Sequence, residues 1–145
     1  MNPIFKRLLM LVALALASWA LPLQAEPLAD ADATKVRDVI VAQLAALAED
    51  DADGAFATAT PAVREAIGSS GRFLAMVRGA YPMVYRAASV SFLKPEAEDD
   101  NVMQLVQIVD TQSKSWLALF TLERQPDSSW RISGCVVSES RWQSI

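Results

Sequence analysis

Arg78, Tyr81, Tyr85 and Arg86 fall close together at the end of the stretch DDADGAFATATPAVREAIGSSGRFLAMVRGAYPMVYR, which runs from Asp50 to Arg86. A phenol facing a carboxylate across an apolar cavity can abstract a proton next to a carbonyl, the acid serving as base and the phenol as donor to the oxyanion. Asp110 is the candidate carboxylate, with Asp38 as a second, and Tyr81 or Tyr85 the candidate donor. No spacing in the chain fixes two of these groups around one reacting atom. Asp110 also ends a strand at a hairpin, where carboxylates commonly serve turn geometry, and buried tyrosines usually pack their rings and bond only at their tips. A cofactor-independent isomerase or dehydratase is therefore the second reading, behind binding.

Binding requires less of the residues. Trp116, Phe120 and Trp130 stand on strand segments and would line a curved sheet that the Phe73–Tyr85 segment closes. Arg78, Arg86 or Arg131 would then orient the acidic end of a small apolar ligand, since a guanidinium matches a carboxylate bidentately. The competing account is that the aromatics fill a core and that the arginines pair with Asp110, Glu65 or Glu123. A third reading is a homodimeric adaptor that docks on another envelope protein, with Leu117 and Leu119 on its exposed face.

The residue types exclude whole classes of chemistry. The chain has no histidine, the commonest metal ligand and general base, and a single cysteine, Cys135. One cysteine makes no intramolecular disulfide, and its neighbours Ile132, Val136 and Val137 predict a buried thiol within a strand. Zinc sites and His-dependent nucleophilic triads are out of reach, and no metal or cofactor is expected. Acids cluster at Glu49–Asp53 and Glu96–Asp100, and both clusters read as solvated turns. The first lacks the twelve-residue loop and closing Glu of a calcium hand.

The N-terminus reads as an export signal. Lys6 and Arg7 precede an uncharged run, Leu8–Leu21, broken only by Ser18, and Pro22-Leu23-Gln24-Ala25 offers a cleavage site after Ala25. The run is about 14 residues, short of the roughly 20 a spanning helix needs, so residues 1–25 are expected to leave no membrane anchor. The mature chain then keeps its 13 basic residues less those two, against 17 acidic residues, a net charge of about −6. Its arginines are scattered singly, which argues against nucleic acid as a partner. The expected compartment is the periplasm.

The elements that must position these side chains follow in order. Residues 26–32 read as a tail. Thr34–Asp50 is a helix whose stripe is Val36, Val39, Ile40, Leu44 and Leu47, capped by Asp32 or Thr34. Three short helices follow: Gly54–Ala59 capped by Asp53, Pro61–Ile67 started by Thr60-Pro61 and ended by Gly68, and Gly71–Arg78 stopped by Gly79. From Ala87 the period changes to two. Ser89–Leu93, Val102–Asp110, Trp116–Arg124 and Trp130–Ser138 are the expected strands, with Gly134 inviting a bulge and Gln125–Ser129 forming a turn. Helices first and then antiparallel strands make an α+β fold over residues 33–138, with 139–145 as a C-terminal tail. Apolar residues on both faces of the second and third strands predict a homodimer through the face the helices leave bare.

Particular residues sharpen this. Ala55-Phe56-Ala57, Thr60-Pro61-Ala62-Val63-Arg64, MVRGAYPMVYR at Met76–Arg86, Val109-Asp110 and WRISGC at Trp130–Cys135 together resemble a family of small exported bacterial proteins known as a domain of unknown function. Ala87 departs from the pattern, which has proline after the arginine. The family looks like a branch of the nuclear-transport-factor-two-like (cystatin-like) superfamily. That resemblance implies helices packed in the mouth of a curved antiparallel sheet of about four strands. It implies no activity, because such cones host enzymes and binding modules alike.

Overall fold

The computed structural model describes residues 27–140. The expected leader 1–25 with its cleavage site, and residues 141–145 of the expected tail 139–145, lie outside the described residues. Helix α1 spans Asp30–Ala48 and buries Val36, Ile40, Gln43 and Leu47 along one face. Val39 and Leu44, expected in that stripe, are half-buried at its margins, and Gln43 takes a place in the core line. The helix begins four residues before Thr34. Ala31 and Ala33 are strong helix formers, and Asp30 and Asp32 complement the dipole in the first turn, so most of the expected tail is helical. Neither Asp32 nor Thr34 caps it. Ala29 holds the cap position without a side-chain bond, and the Thr34 hydroxyl donates to the Asp30 carbonyl at 3.1 Å.

Past Ala48 the chain turns through Asp50, at φ 57°, into α2 (Ala52–Ala57). The α2 cap is Asp51, not Asp53: its carboxylate accepts from the Gly54 amide at 3.0 Å. A Cβ on Gly54 would stand 2.2 Å from that carboxylate, so the cap depends on glycine there. Helix α3 (Pro61–Ile67) starts as the sequence reads, with the Thr60 hydroxyl accepting from the Val63 amide at 3.3 Å and Pro61 opening the helix. Gly68 ends it at φ 98°. Ser69 caps α4 (Ser70–Ala80), which buries Phe73 and Val77 and leaves Met76 largely exposed. Gly79 does not stop this helix. Pro82 does, by forcing Tyr81 out of helical geometry (φ −132°, ψ 59°) and opening a one-turn helix, α5 (Pro82–Tyr85), that the sequence reading lacked.

The sheet has strands β1 (Ala87–Phe92), β2 (Glu96–Glu98), β3 (Asn101–Asp110), β4 (Ser115–Arg124) and β5 (Trp130–Glu139). All pairings are antiparallel, in the order β1-β3-β4-β5, with β2 also on β3. Five strands replace the expected four because Glu96–Glu98, read as an acidic loop, forms a short strand with Ala97 turned inward. Alternation on β3 is strict: Val102, Gln104, Val106 and Ile108 are buried while Met103, Leu105 and Gln107 are exposed. Two irregularities bend the sheet, one at Ala88 on β1 and one at Ser133 on β5, where Thr121 pairs with Gly134 but Leu122 with Ile132. The bulge beside Gly134 resets the side-chain alternation, so Trp130 and Ile132 point inward before it and Cys135 and Val137 after it.

The helices cover one face of the sheet. Helix α1 packs against α2, α5, β1 and β5, α4 against α2, and α5 against β1 and β3. Trp130, Phe120, Ile108 and Leu122 form the centre of the core between them. Each such burial contributes roughly 1.5–3 kcal/mol against leaving the side chain in water. The α2–α3 junction is tied to β5 by two backbone bonds, Thr60 amide to Ile132 carbonyl at 2.9 Å and Ile132 amide to Thr58 carbonyl at 2.8 Å. No helix of the described residues is long and apolar enough to cross a membrane.

Candidate functional site

Between that junction and α4 the helices part from β5 and leave an apolar cleft of about 150 Å³. Val63 and Ile67 of α3, Phe73 and Val77 of α4, and Ile132 and Cys135 of β5 form its walls. Gln43 and Tyr81 supply the polar atoms that reach it from side chains other than the thiol. The short helices produce this opening. Helix α3 ends at Gly68 and α4 starts afresh at Ser70, so neither lies flat along β5.

The orientation of Gln43 is fixed by its neighbours. Its Nε2 donates to the Thr58 hydroxyl at 2.9 Å, and that hydroxyl donates in turn to the Ala55 carbonyl at 2.6 Å, so Thr58 can only accept from Gln43. The Gln43 Oε1 is left without a donor among the described residues, and the Tyr81 hydroxyl likewise has no partner there. Burial pushes the Cys135 thiol up to about 12, so it stands protonated at neutral pH and acts as a small apolar wall group.

The side chains singled out in the sequence scatter over several sites. Tyr81 alone lines the cleft. Arg78, Tyr85 and Arg86 converge on Asp50 at the surface. The Tyr85 hydroxyl donates to Asp50 Oδ1, Arg78 Nη2 lies 3.1 Å from the same oxygen, and Arg86 Nη2 lies 3.5 Å from Oδ2. The two guanidinium groups also stack on the Tyr85 ring, at 5.3 and 4.9 Å from its centroid. The Tyr85 hydrogen bond, followed by that of Arg78, holds the Asp50 carboxyl below its ordinary 3.8. The partner of Arg78 and Arg86 is thus Asp50, not Asp110, Glu65 or Glu123. Sequence reading missed it because its left-handed turn at the end of α1 brings it back over α4 and α5.

Asp110 closes the β3–β4 hairpin. Its carboxylate accepts from the Gln112 amide at 2.8 Å, the Lys114 amide at 2.9 Å and Trp116 Nε1 at 3.0 Å. These bonds, Trp116 foremost, hold it below the ordinary carboxylate value, and they aim it into the turn rather than into a cavity. Trp116 is half-buried under Lys114, whose ammonium sits 4.7 Å from its ring. Phe120 and Trp130 are core residues with no surface to offer a ligand. Trp130 Nε1 donates to Asp32 at 3.2 Å, and Arg124 both grips Asp32 and stacks on the indole at 4.7 Å. Arg131 donates to the Trp130 carbonyl at 2.9 Å, on the sheet face away from the helices. Asp38 is exposed on α1. Val63, Ile67 and Gln43, which build the cleft, read in the sequence as ordinary helix-face residues.

Helices followed by a bent antiparallel sheet that closes over a cleft define an α+β fold like that of the nuclear-transport-factor-two-like cone. The chain belongs to the family described as Domain of unknown function (DUF4864), matched over residues 29–145. No curated protein matches it. Among solved structures it is similar to the 1.8 Å structure of Aln2 from a Streptomyces species, at 18% identity and a TM-score of 0.52, over 79% of this chain and 94% of that one. That likeness is one of fold. Among the described residues, no three His, Cys, Asp or Glu side chains group as metal ligands.

Proposed function

We propose that this chain is an exported, non-catalytic binding module that holds a small apolar group in the cleft between α3, α4 and β5. The observation that carries the reading is the lining: apolar walls, one oriented amide oxygen from Gln43, one phenol from Tyr81, and no carboxylate or charged group. Acid–base catalysis needs a titrating group near neutral pH beside the reacting atom. The acids that would serve are engaged elsewhere, Asp110 in its hairpin and Asp50 with its arginines, and the Cys135 thiol is too weakly acidic to act as nucleophile. An apolar cavity of about 150 Å³ accepts a benzene-sized body. The free Gln43 oxygen favours a ligand with one O–H or N–H donor. The basic, apolar and cleavage segments of residues 1–25 support export.

Calorimetric titration with phenol and with toluene tests this. Both should bind, phenol tighter by about 0.5–1.5 kcal/mol for the one added hydrogen bond. Val63→Phe, which fills the cleft, should abolish both. Absence of binding, or binding indifferent to Val63→Phe, would refute the reading.

A specific observation also supports a homodimer. On the bare face of the sheet Leu93, just past the end of β1, Leu105 of β3, Leu119 of β4 and Val136 of β5 lie in one row, through the Leu105–Leu119 and Leu119–Val136 pairs and the Leu93 amide bond to the Leu105 carbonyl. Val136 is 68% exposed. A second copy of the same face would cover such a row.

A further inference from the structure

A second opening lies on the far side of α1, a groove of about 210 Å³ where α1 passes the end of β1 and the middle of β3. Its floor is Phe92 and Gln104, and Arg37, Thr34 and Pro95 stand at its rim. From this groove we infer a binding site for a short carboxylic acid that carries a hydroxyl beside its carboxylate on an apolar body. This site shares no lining residue with the β5 cleft, so it stands or falls independently of that reading.

Gln104 carries the inference. It is 2% exposed, and its Nε2 donates to two main-chain carbonyls, Leu93 at 2.7 Å and Leu105 at 2.9 Å. Reversing the amide would set its oxygen against both carbonyls, so the orientation follows from the hydrogen bonds. Oε1 is then left facing the groove with no donor among the described residues. Oε1 keeps a little solvent contact at the groove, so water or a ligand that enters there can supply the donor it lacks.

Arg37 provides the complementary group. Its guanidinium lies 4.9 Å from the Phe92 ring centroid, and no carboxylate of the described residues pairs with it. Stacking on the ring orients the guanidinium while its in-plane N–H donors remain available for a carboxylate. The Thr34 hydroxyl already donates to Asp30, which leaves its lone pairs rather than its proton toward the groove. An anion for Arg37, a neutral donor for Gln104 Oε1 and an apolar body against Phe92 and Pro95 describe a hydroxy acid. An amino acid fits less well, because its ammonium would approach Arg37.

Mandelate and phenylacetate, which differ by one hydroxyl, test the assignment by amide-resolved NMR titration of the full chain. Mandelate should shift the Thr34, Arg37, Leu93 and Gln104 amides and bind about fivefold or more tighter than phenylacetate. Arg37→Leu, an exposed change that leaves the core untouched, should weaken mandelate about tenfold or more while leaving phenol binding in the β5 cleft unchanged. Gln104→Met should erase the difference between the two acids. No shift at millimolar mandelate, shifts centred on Val63 and Cys135 instead, equal affinity of the two acids, or full affinity in Arg37→Leu would each overturn the proposal.

Discussion

Asp32, expected as a cap, instead ties the first turn of α1 to the sheet. Its two oxygens accept from Trp130 Nε1 at 3.2 Å and from Arg124 at 3.4 and 3.2 Å, so the first turn of α1 is tied to the adjoining ends of β4 and β5. The Trp130 hydrogen bond, then that of Arg124, holds its carboxyl below the ordinary pKa of 3.8. A carboxyl depressed in the folded state contributes stability that is present above its unfolded value and lost as pH falls through the folded one. Acid titration of unfolding should therefore show this contribution intact above pH 3.8 and fading below it, and Asp32→Ala should remove that limb and lower the melting temperature. Asp32→Asn keeps an acceptor for the indole and should fall between. Cys135 gives a second test at this scale. Raising the thiol from 9.0 to about 12 leaves far less thiolate at any pH below both, so reaction with a disulfide reagent should be markedly slower in the folded chain than after unfolding. Of these roles the turn duty of Asp110 was legible, because a carboxylate after a strand of alternating residues has turn amides in reach. That of Asp32 was not. Its partners lie 92 and 98 positions away, and no local pattern announces them.

At the scale of elements, the caps and breakers decide the shape of the cleft. Thr60 is 3% exposed and caps α3 while its amide bonds β5, so Thr60→Ala should cost about 1 kcal/mol, measured by urea denaturation. Gly68 at φ 98° ends α3, and alanine there should cost about 1–2 kcal/mol. Both changes loosen the wall that carries Val63 and Ile67, so both should weaken phenol binding more than they change the sheet. The long strands were readable because β3 and β4 alternate over ten residues each. Strand β2 was not, since three residues give no period and their acids dominate the pattern. Gly79 misled because a glycine near a helix end usually marks a stop, whereas here the proline three residues on sets the boundary. The bulge at Ser133 was signalled by Gly134, and its effect on facing was not, because which of two residues is extra depends on the partner strand.

For the whole molecule, the sequence pattern separates two apolar surfaces that serve different ends. The inner face is closed over Phe120 and Trp130, and this is why the aromatic lining expected for a ligand became core while the opening moved to the helix side of β5. The outer face keeps its row from Leu93 to Val136 uncovered. Sedimentation velocity should show a dimer that Leu119→Lys converts to a monomer of unchanged circular dichroism, and a wild-type monomer would contradict the dimer. The cleft itself is tested most directly by native mass spectrometry of the protein recovered from the cells that make it, beside its Val63→Phe variant. A bound small molecule is expected on the first protein and missing from the second. Two proteins that both fly at the bare polypeptide mass would contradict it.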